Sequence, residues 1–294
     1  MLAEEEKTPK HSKIRTDVEI PQPPFWGSKV VDDISLDDVF RYINEAALIR
    51  GQWRVVRGKK SEEEYKSILQ DQVYPELKKI KLKIINEKLL EPKVVYGYFP
   101  CQSDGNDLII YSLAENNSNF EIRDSKLKEW FRFSFPRQKD DLFLCISDYF
   151  ASVNSGKIDV VAFHLVTMGK TASEYSKKLF DSNEYKDYLY FHGLSVESAE
   201  ALAELWHKKI REELGFAGKD SSEIKRLFSQ GYQGSRFSFG YPACPNLEDH
   251  KKLFNLLKPE RIGVTMTDEF MLNPEQSTDA IIVHHPEARY FNIK

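Results

Sequence analysis

From Ser35 to Gly51 the apolar residues Val39, Ile43, Ala47 and Ile49, with Phe40 beside them, recur at the spacing of one helix face. Ser35 supplies a cap, Asp37 and Asp38 put acids in the first turn, and Gly51 follows the end, so the stretch reads as one helix. A second helical stretch runs from about Glu62 to Leu90, with Pro75 kinking or splitting it. The period then falls to two. "VVYGYFPCQSDGNDLIIYS" holds two apolar and aromatic runs around Asp104-Gly105-Asn106, a hairpin signal with a slightly long loop. "WFRFSF", "DLFLCIS" and "DVVAFHLVTMG" read as further strands. After Gly169 helical spacing returns. Its longest stretch covers about Ser195 to Leu214, with Val196, Ala199, Ala203, Trp206 and Ile210 as the buried stripe. Asp220 to Ser229 reads as a short helix closed by Gly231, and "NLEDHKKLFNLL" as a helix capped at Asn246. The end is again extended: "RIGVTMT", "AIIVHH" and "ARYFNI", the last two flanking Pro286-Glu287 as a hairpin.

Strands joined by short turns and interspersed with helices predict an α+β fold on an antiparallel sheet rather than a doubly wound parallel one. No internal repeat and no clean linker follow residue 30, which predicts a single domain. Residues 1–17, opening "MLAEEEKTPKHSK", are polar and charged, and read as a disordered lead-in or linker remnant before a domain of residues 18–294. "EIPQPPFWG" is held extended by its prolines, with Phe25 and Trp26 pinning it to the domain surface.

Composition narrows the classes. Of 294 residues 41% are hydrophobic and 13% aromatic, enough for a sizeable core. The net charge is only −4 and no basic stripe stands out, which argues against a nucleic-acid partner. No apolar run is long enough to span a membrane, and no charged-then-apolar leader begins at Met1. Cys101, Cys145 and Cys244 lie far apart and are odd in number, which points to a reducing, cytoplasmic compartment rather than a disulfide framework.

Standard catalytic and nucleotide motifs are missing: no glycine-rich nucleotide loop, no P-loop and no nucleophile elbow. The seven histidines show no zinc spacing. His284 and His285 are adjacent, and neighbours on a strand point to opposite faces, so they do not predict a shared metal. His164, in mid-strand, reads as a core histidine. What stands out is "GSRFSFGYPACP", Gly234 to Pro245, whose composition suits neither a helix nor an ordinary strand. Arg236 offers a planar fork for a carboxylate or phosphate, Tyr241 a ring and hydroxyl, and Gly240 and Ala243 let a ligand approach the backbone. A rigid connection in which Arg236 pairs with a local acid explains the same residues, and both readings stand at this level.

The loop resembles the signature loop of the activation domain of cobalamin-dependent methionine synthase. "EIPQPPFWG", "LCISDYFA", "DVVAFHLVTMG", "AEALAELWHKKIREELGF" and "GVTMTDEFMLNPEQSTDAIIVHHPEARYF" are each similar to blocks of that family, in the same order and at similar spacing. The resemblance extends from about residue 17 to the end. It implies a single helmet-like α+β domain with a bent antiparallel sheet flanked by helices. It also implies S-adenosylmethionine (AdoMet) as methyl donor for reductive methylation of inactive cob(II)alamin. Cobalamin would be held by a partner module and the electron supplied by a flavodoxin-like or other reductase. In that pattern Arg236 matches the arginine that holds the AdoMet carboxylate, and Tyr241 the signature tyrosine. Glu45 matches an acid holding the ammonium, with Asn44 as the rival if the helix is shifted by one residue. Glu200 matches a second acid, though a solvated helix-surface glutamate is the plain alternative. Tyr290 and Phe291 match an aromatic pair near the sulfonium, where rings favour a cation. No general acid or base and no metal ligand is assigned.

The chain departs from the pattern in places. Phe237 and Phe239 stand where relatives have prolines, Gln230 stands where they can have glutamate, and the sequence stops at Lys294 without the helical tail of longer relatives. Nothing resembles the cobalamin-binding motif or the folate and homocysteine barrels. The chain is expected to be a fragment of a multi-module enzyme or a separate activation subunit, incompetent for full turnover alone. A non-catalytic AdoMet-sensing or docking module is the alternative, and a small-molecule methyltransferase a more distant one.

Overall fold

The computed structural model describes residues 11–112, 127–139 and 142–293. Its centre is a seven-stranded sheet in which every pairing is antiparallel. The strands are β1 (Gly27–Val31), β2 (Lys93–Asp104), β3 (Asp107–Ser112), β4 (Lys128–Ser134), β5 (Asp159–Thr167), β6 (Ser235–Phe237) and, after a separate two-stranded ribbon of β7 (Thr265–Met266) and β8 (Leu272–Asn273), β9 (Ser277–Val283). The order is β4-β3-β2-β5-β9-β6, with β1 on the first half of β2. The predicted hairpin of β2 and β3 forms, but its turn is tight: Asp104 pairs with Asp107.

β5 is buried throughout because both faces of the sheet are covered. One face, with Val94, Tyr96, Tyr98, Val160, Ala162, Ala280 and Ile282, packs under the helices. These are α1 (Leu36–Arg41), α2 (Glu62–Ile68), α3 (Tyr74–Glu87), α4 (Lys170–Asp181) and α5 (Tyr185–Glu213). The other face, with Val95, Phe99, Val161, Phe163, Ile281 and Val283, packs under Leu253, Leu256 and Leu257 of α7 (His250–Leu257) and the loop around Ile146. A further short helix, α6 (Ile224–Leu227), lies between α5 and β6 in the chain. α5 buries Ala199, Ala203, Trp206 and Ile210 of the expected stripe, while Val196 is only half-buried, and it begins at Tyr185 and is 29 residues long. Pro75 sits in the first turn of α3, and a wide turn, Leu69–Val73, joins it to α2, so the second helical stretch is split there as expected.

Other expectations are corrected. Ser35 caps α1 through the Asp37 amide, but the stretch to Gly51 is not one helix. α1 ends at Arg41, and a second segment with a wide turn at Ala47–Gln52 follows a break at residues 42–44. "DLFLCIS" is not a strand. Asp141 lies outside the described residues; Leu144, Ile146 and Tyr149 are buried together, and a 3-10 turn spans Ile146–Tyr149. An apolar run looks alike whether it extends a sheet or caps one. "RIGVTMT" contributes only the two residues of β7. "ARYFNI" forms no strand after the turn at Pro286-Glu287, because β9 is already paired with β5 on one side and β6 on the other. "GSRFSFGYPACP" does contain a strand: Ser235–Phe237 pairs with β9, and the sheet edge overrides local composition. Gly234 permits it, with φ +85° and a site where a Cβ would meet the Val283 carbonyl at 2.4 Å.

Three residues of the expected lead-in, Ser12, Lys13 and Arg15, make hydrogen bonds with the domain. Ser12 bonds to Asp148, the Lys13 amide donates to the Leu142 carbonyl, and His285 bonds to the Arg15 carbonyl. Residues 1–10 of the expected lead-in lie outside the described residues. Among the described residues no helix is long and apolar enough to cross a membrane.

Candidate functional site

Alternation along β6 sends Phe237 into the core of one face and Arg236 to the other, opposite Ile282 and towards α5. There α5 presents Glu197, Glu200 and Glu204, whose spacing of three and then four residues stacks them on one helix face. Arg236 reaches two of them: Nη2 lies 3.3 Å from Glu200 Oε2, and Nε lies 3.4 Å from Glu204 Oε2. Glu204 Oε1 is buried with no hydrogen-bond partner among the described residues. One guanidinium therefore faces three carboxylates.

These groups line a cleft of about 390 Å³. Tyr42, Asn44 and Ala47 close it from the break after α1, Tyr232 and Gln230 from the segment after α6, and Tyr241 and Tyr290 from the mouth. Tyr241 is 55% and Tyr290 44% exposed, so two rings stand at the entrance, that of Tyr290 stacked 6.3 Å from the Phe237 ring. Gln230 ties the wall together: its Nε2 donates to Ser235 Oγ at 3.0 Å, and its Oε1 accepts the Tyr290 amide at 3.3 Å.

Burial and the neighbouring Glu200 charge push the Glu197 carboxyl up to about 7, against the stabilising donation of the Asn44 backbone amide. Burial also raises Glu204, opposed by the charge of Arg236. His164 on β5 and His207 on α5 are fully buried, and among the described residues their ring nitrogens have no hydrogen-bond partner. Burial and the charge of Arg236 push His164 down to about 3, and burial with Arg211 and Arg236 pushes His207 well down, so both are neutral. The sequence reading of His164 as a core histidine holds. His284 and His285 go to different partners, Asp159 at 2.8 Å and the Arg15 carbonyl at 3.0 Å.

The structure brings Arg236, Glu200, Tyr241 and Tyr290 together at this cleft, and Asn44 with them. It places Glu45 elsewhere: exposed, outside the cleft lining, and near Lys81, whose charge it favours. Asn44 lies in the helix break, its Oδ1 accepting the Ala47 amide at 3.2 Å. Phe291 is buried on the far face of the sheet, edge-on to Phe237. Ala243 is buried in the same core, and Gly240 serves the turn: φ is +90°, and a Cβ there would meet Leu247 Cδ2 at 2.9 Å. Two backbone bonds, Gly240 to Cys244 and Cys244 to Tyr241, close that turn and carry Tyr241 to the mouth. Sequence reasoning missed Glu197 and Glu204. Their signal was available in "VESAEALAE", where three acids share one face of a stretch that otherwise reads as core.

Comparison with known proteins fits this geometry. The family described as the activation domain of vitamin B12-dependent methionine synthase matches residues 36–294. The chain is 43% identical over 300 residues to a methionine synthase of Mycobacterium tuberculosis (strain ATCC 25618 / H37Rv), covering 98% of this chain and 24% of that protein. A methionine synthase of Mycobacterium leprae (strain TN) gives the same identity and coverage. The chain thus spans about a quarter of the length of these relatives. Among solved structures, a MetH reactivation domain bound to AdoHcy superposes with a TM-score of 0.80 at 23% identity, over 94% of this chain and 84% of that one. An antiparallel sheet between helical layers, with an arginine and three acids meeting at its edge, is thus found in a chain matched along most of its length by one family. The chain belongs to the activation-domain family of vitamin B12-dependent methionine synthase.

Proposed function

We propose that the cleft between α5 and β6 binds AdoMet and presents its methyl group for reductive methylation of cob(II)alamin held by a partner module. The observation that carries this reading is the excess of carboxylates over guanidinium. A zwitterionic amino acid joined to a sulfonium needs one cationic anchor and an anionic surround, and Arg236 amid Glu197, Glu200 and Glu204 supplies both. The unpartnered Glu204 Oε1 and the exposed rings of Tyr241 and Tyr290 fit a cationic ligand entering from the mouth. Bound AdoMet supplies an electrophilic methyl group. The residues of this chain bind and orient the donor and exclude water from the sulfonium; none is required to move a proton. Asn44, at the cleft wall, takes the place expected of Glu45 in contacting the amino-acid end.

The domain of residues 18–294 acts as a component of a larger methyltransferase system in the cytoplasm. Its partners are a cobalamin module and a one-electron reductase. The test adds the cobalamin module in trans under reducing conditions and follows methylcobalamin in the visible spectrum. AdoMet-dependent formation that needs this chain supports the reading. No formation, with AdoMet binding intact, leaves only a sensing module.

A further inference from the structure

The turn that carries Tyr241 hangs from a buried charge pair on the far side of the sheet. The Phe239 amide donates to Asp279 Oδ1 at 3.2 Å. The other oxygen, Oδ2, lies 2.7 Å from His250 Nε2 at the start of α7, and His250 Nδ1 lies 2.5 Å from the Phe270 carbonyl. Asp279 and His250 are each 3% exposed, so no bulk water screens them. Nδ1 is hydrogen-bonded to the carbonyl, whereas Nε2 approaches Asp279 as an ion pair without an aligned hydrogen bond. Only the doubly protonated ring carries a proton on both nitrogens beside these oxygens, and either neutral tautomer leaves a lone pair against one of them. The other charged or titratable neighbours are Asp249, buried beside Lys252, and Cys244, whose thiol is pushed well up by burial and by Asp279 and Asp249. The Phe239 ring meets the imidazole edge-on at 5.7 Å.

We propose that His250 is a positioning residue for the ligand loop: as an imidazolium held between Asp279 and the Phe270 carbonyl, it keeps the Asp279 carboxylate aimed at the Phe239 amide that anchors the turn. Burial opposes the imidazolium charge, but Asp279 and the Phe270 carbonyl outweigh it, so His250 titrates above its ordinary value. The sign follows. Anchorage is lost as pH rises through the folded pKa of His250. The effect on the ligand rests on the AdoMet reading; the effect on the loop does not.

Two readouts on the same protein, taken from about pH 6 to about pH 9, test the proposal: the protection factor of the Phe239 amide in hydrogen exchange, and AdoMet affinity. In the wild type both are expected to fall about tenfold as the His250 ring loses its proton, with a midpoint matching its NMR titration. His250→Gln should be weakly protected at all pH values. Asp279→Asn should behave oppositely to simple loss of a pair. Its amide can donate to a neutral His250 Nε2 while its oxygen still accepts from Phe239, so protection should persist to high pH. Flat wild-type profiles, or a high-pH loss retained in Asp279→Asn, would overturn the proposal. Absence of AdoMet binding at every pH would instead overturn the ligand reading and leave the exchange result to judge the clamp.

Discussion

Replacing Arg236 with alanine removes the cation of the cleft, and the structure says that two quantities change, not one. Arg236 is 19% exposed and Glu204 7% exposed, so the pair is largely desolvated. Removing one partner of a fully buried pair costs about 3–5 kcal/mol. Here Arg236 keeps some solvent and Glu204, already raised by burial, can take up a proton, so Arg236→Ala should lose about 2 kcal/mol of stability without ligand, and less at acid pH. Glu204→Gln alone should change stability by under about 1 kcal/mol, because one of its oxygens is unpartnered already. The double variant Arg236→Ala/Glu204→Gln should therefore regain most of the stability. It should not regain AdoMet affinity, which needs the guanidinium for the ligand carboxylate and should stay down by about 2–4 kcal/mol, roughly 30- to 1,000-fold. Arg236→Lys keeps the charge without the fork and should bind about tenfold more weakly. Urea melts of the apo proteins and calorimetric titrations with AdoMet, on all four variants, read both quantities. Near wild-type affinity in the stabilised double variant would refute the assignment and leave Arg236 as a structural partner of Glu204.

Asn44→Ala should weaken AdoMet binding and, by losing the cap on Ala47, cost about 1 kcal/mol of stability in a thermal melt, whereas Glu45→Gln should leave affinity within about threefold. Glu197 holds its proton up to about 7 in the folded state, so its burial costs stability above that pH and the cost vanishes as pH falls towards the ordinary carboxylate range. Glu197→Gln should therefore raise the melting temperature near pH 8, change it little near pH 5, and remove the loss of AdoMet affinity that the wild type should show on acidification below about 7. Gly234→Ala should cost about 1–3 kcal/mol in urea unfolding, because the φ of +85° strains an alanine and its Cβ would meet the Val283 carbonyl.

The fold class was legible because helical and alternating periods separate cleanly, and the short turns between strands forbid parallel crossovers. β6 was not legible. Three residues between Gly234 and Ser238 carry no period, and only an open edge on β9 makes them a strand. The same pairing hid the fate of "ARYFNI": once β6 occupies that edge, Tyr290 and Phe291 leave the sheet, one to the cleft mouth and one into the core.

Arg236 and Tyr241 could be picked from chemistry alone, since an arginine and a tyrosine in a stiff loop invite a ligand. Asn44 and Glu45 could not be separated, because the amphipathic pattern runs unbroken through the helix break that turns one to the cleft and the other to solvent. The buried partnership of Asp279 with His250 was equally invisible, since 28 residues of chain lie between them and no local spacing signals their pairing.

The most direct measurement is a calorimetric titration of this chain with AdoMet near neutral pH, with a thermal melt in parallel. One site per chain is expected, with micromolar-range affinity, about −8 kcal/mol, and a higher melting temperature with ligand. The contacts that should hold the ligand lie in this chain, so cobalamin should not be needed. No heat and no shift in melting temperature at millimolar AdoMet would contradict the account.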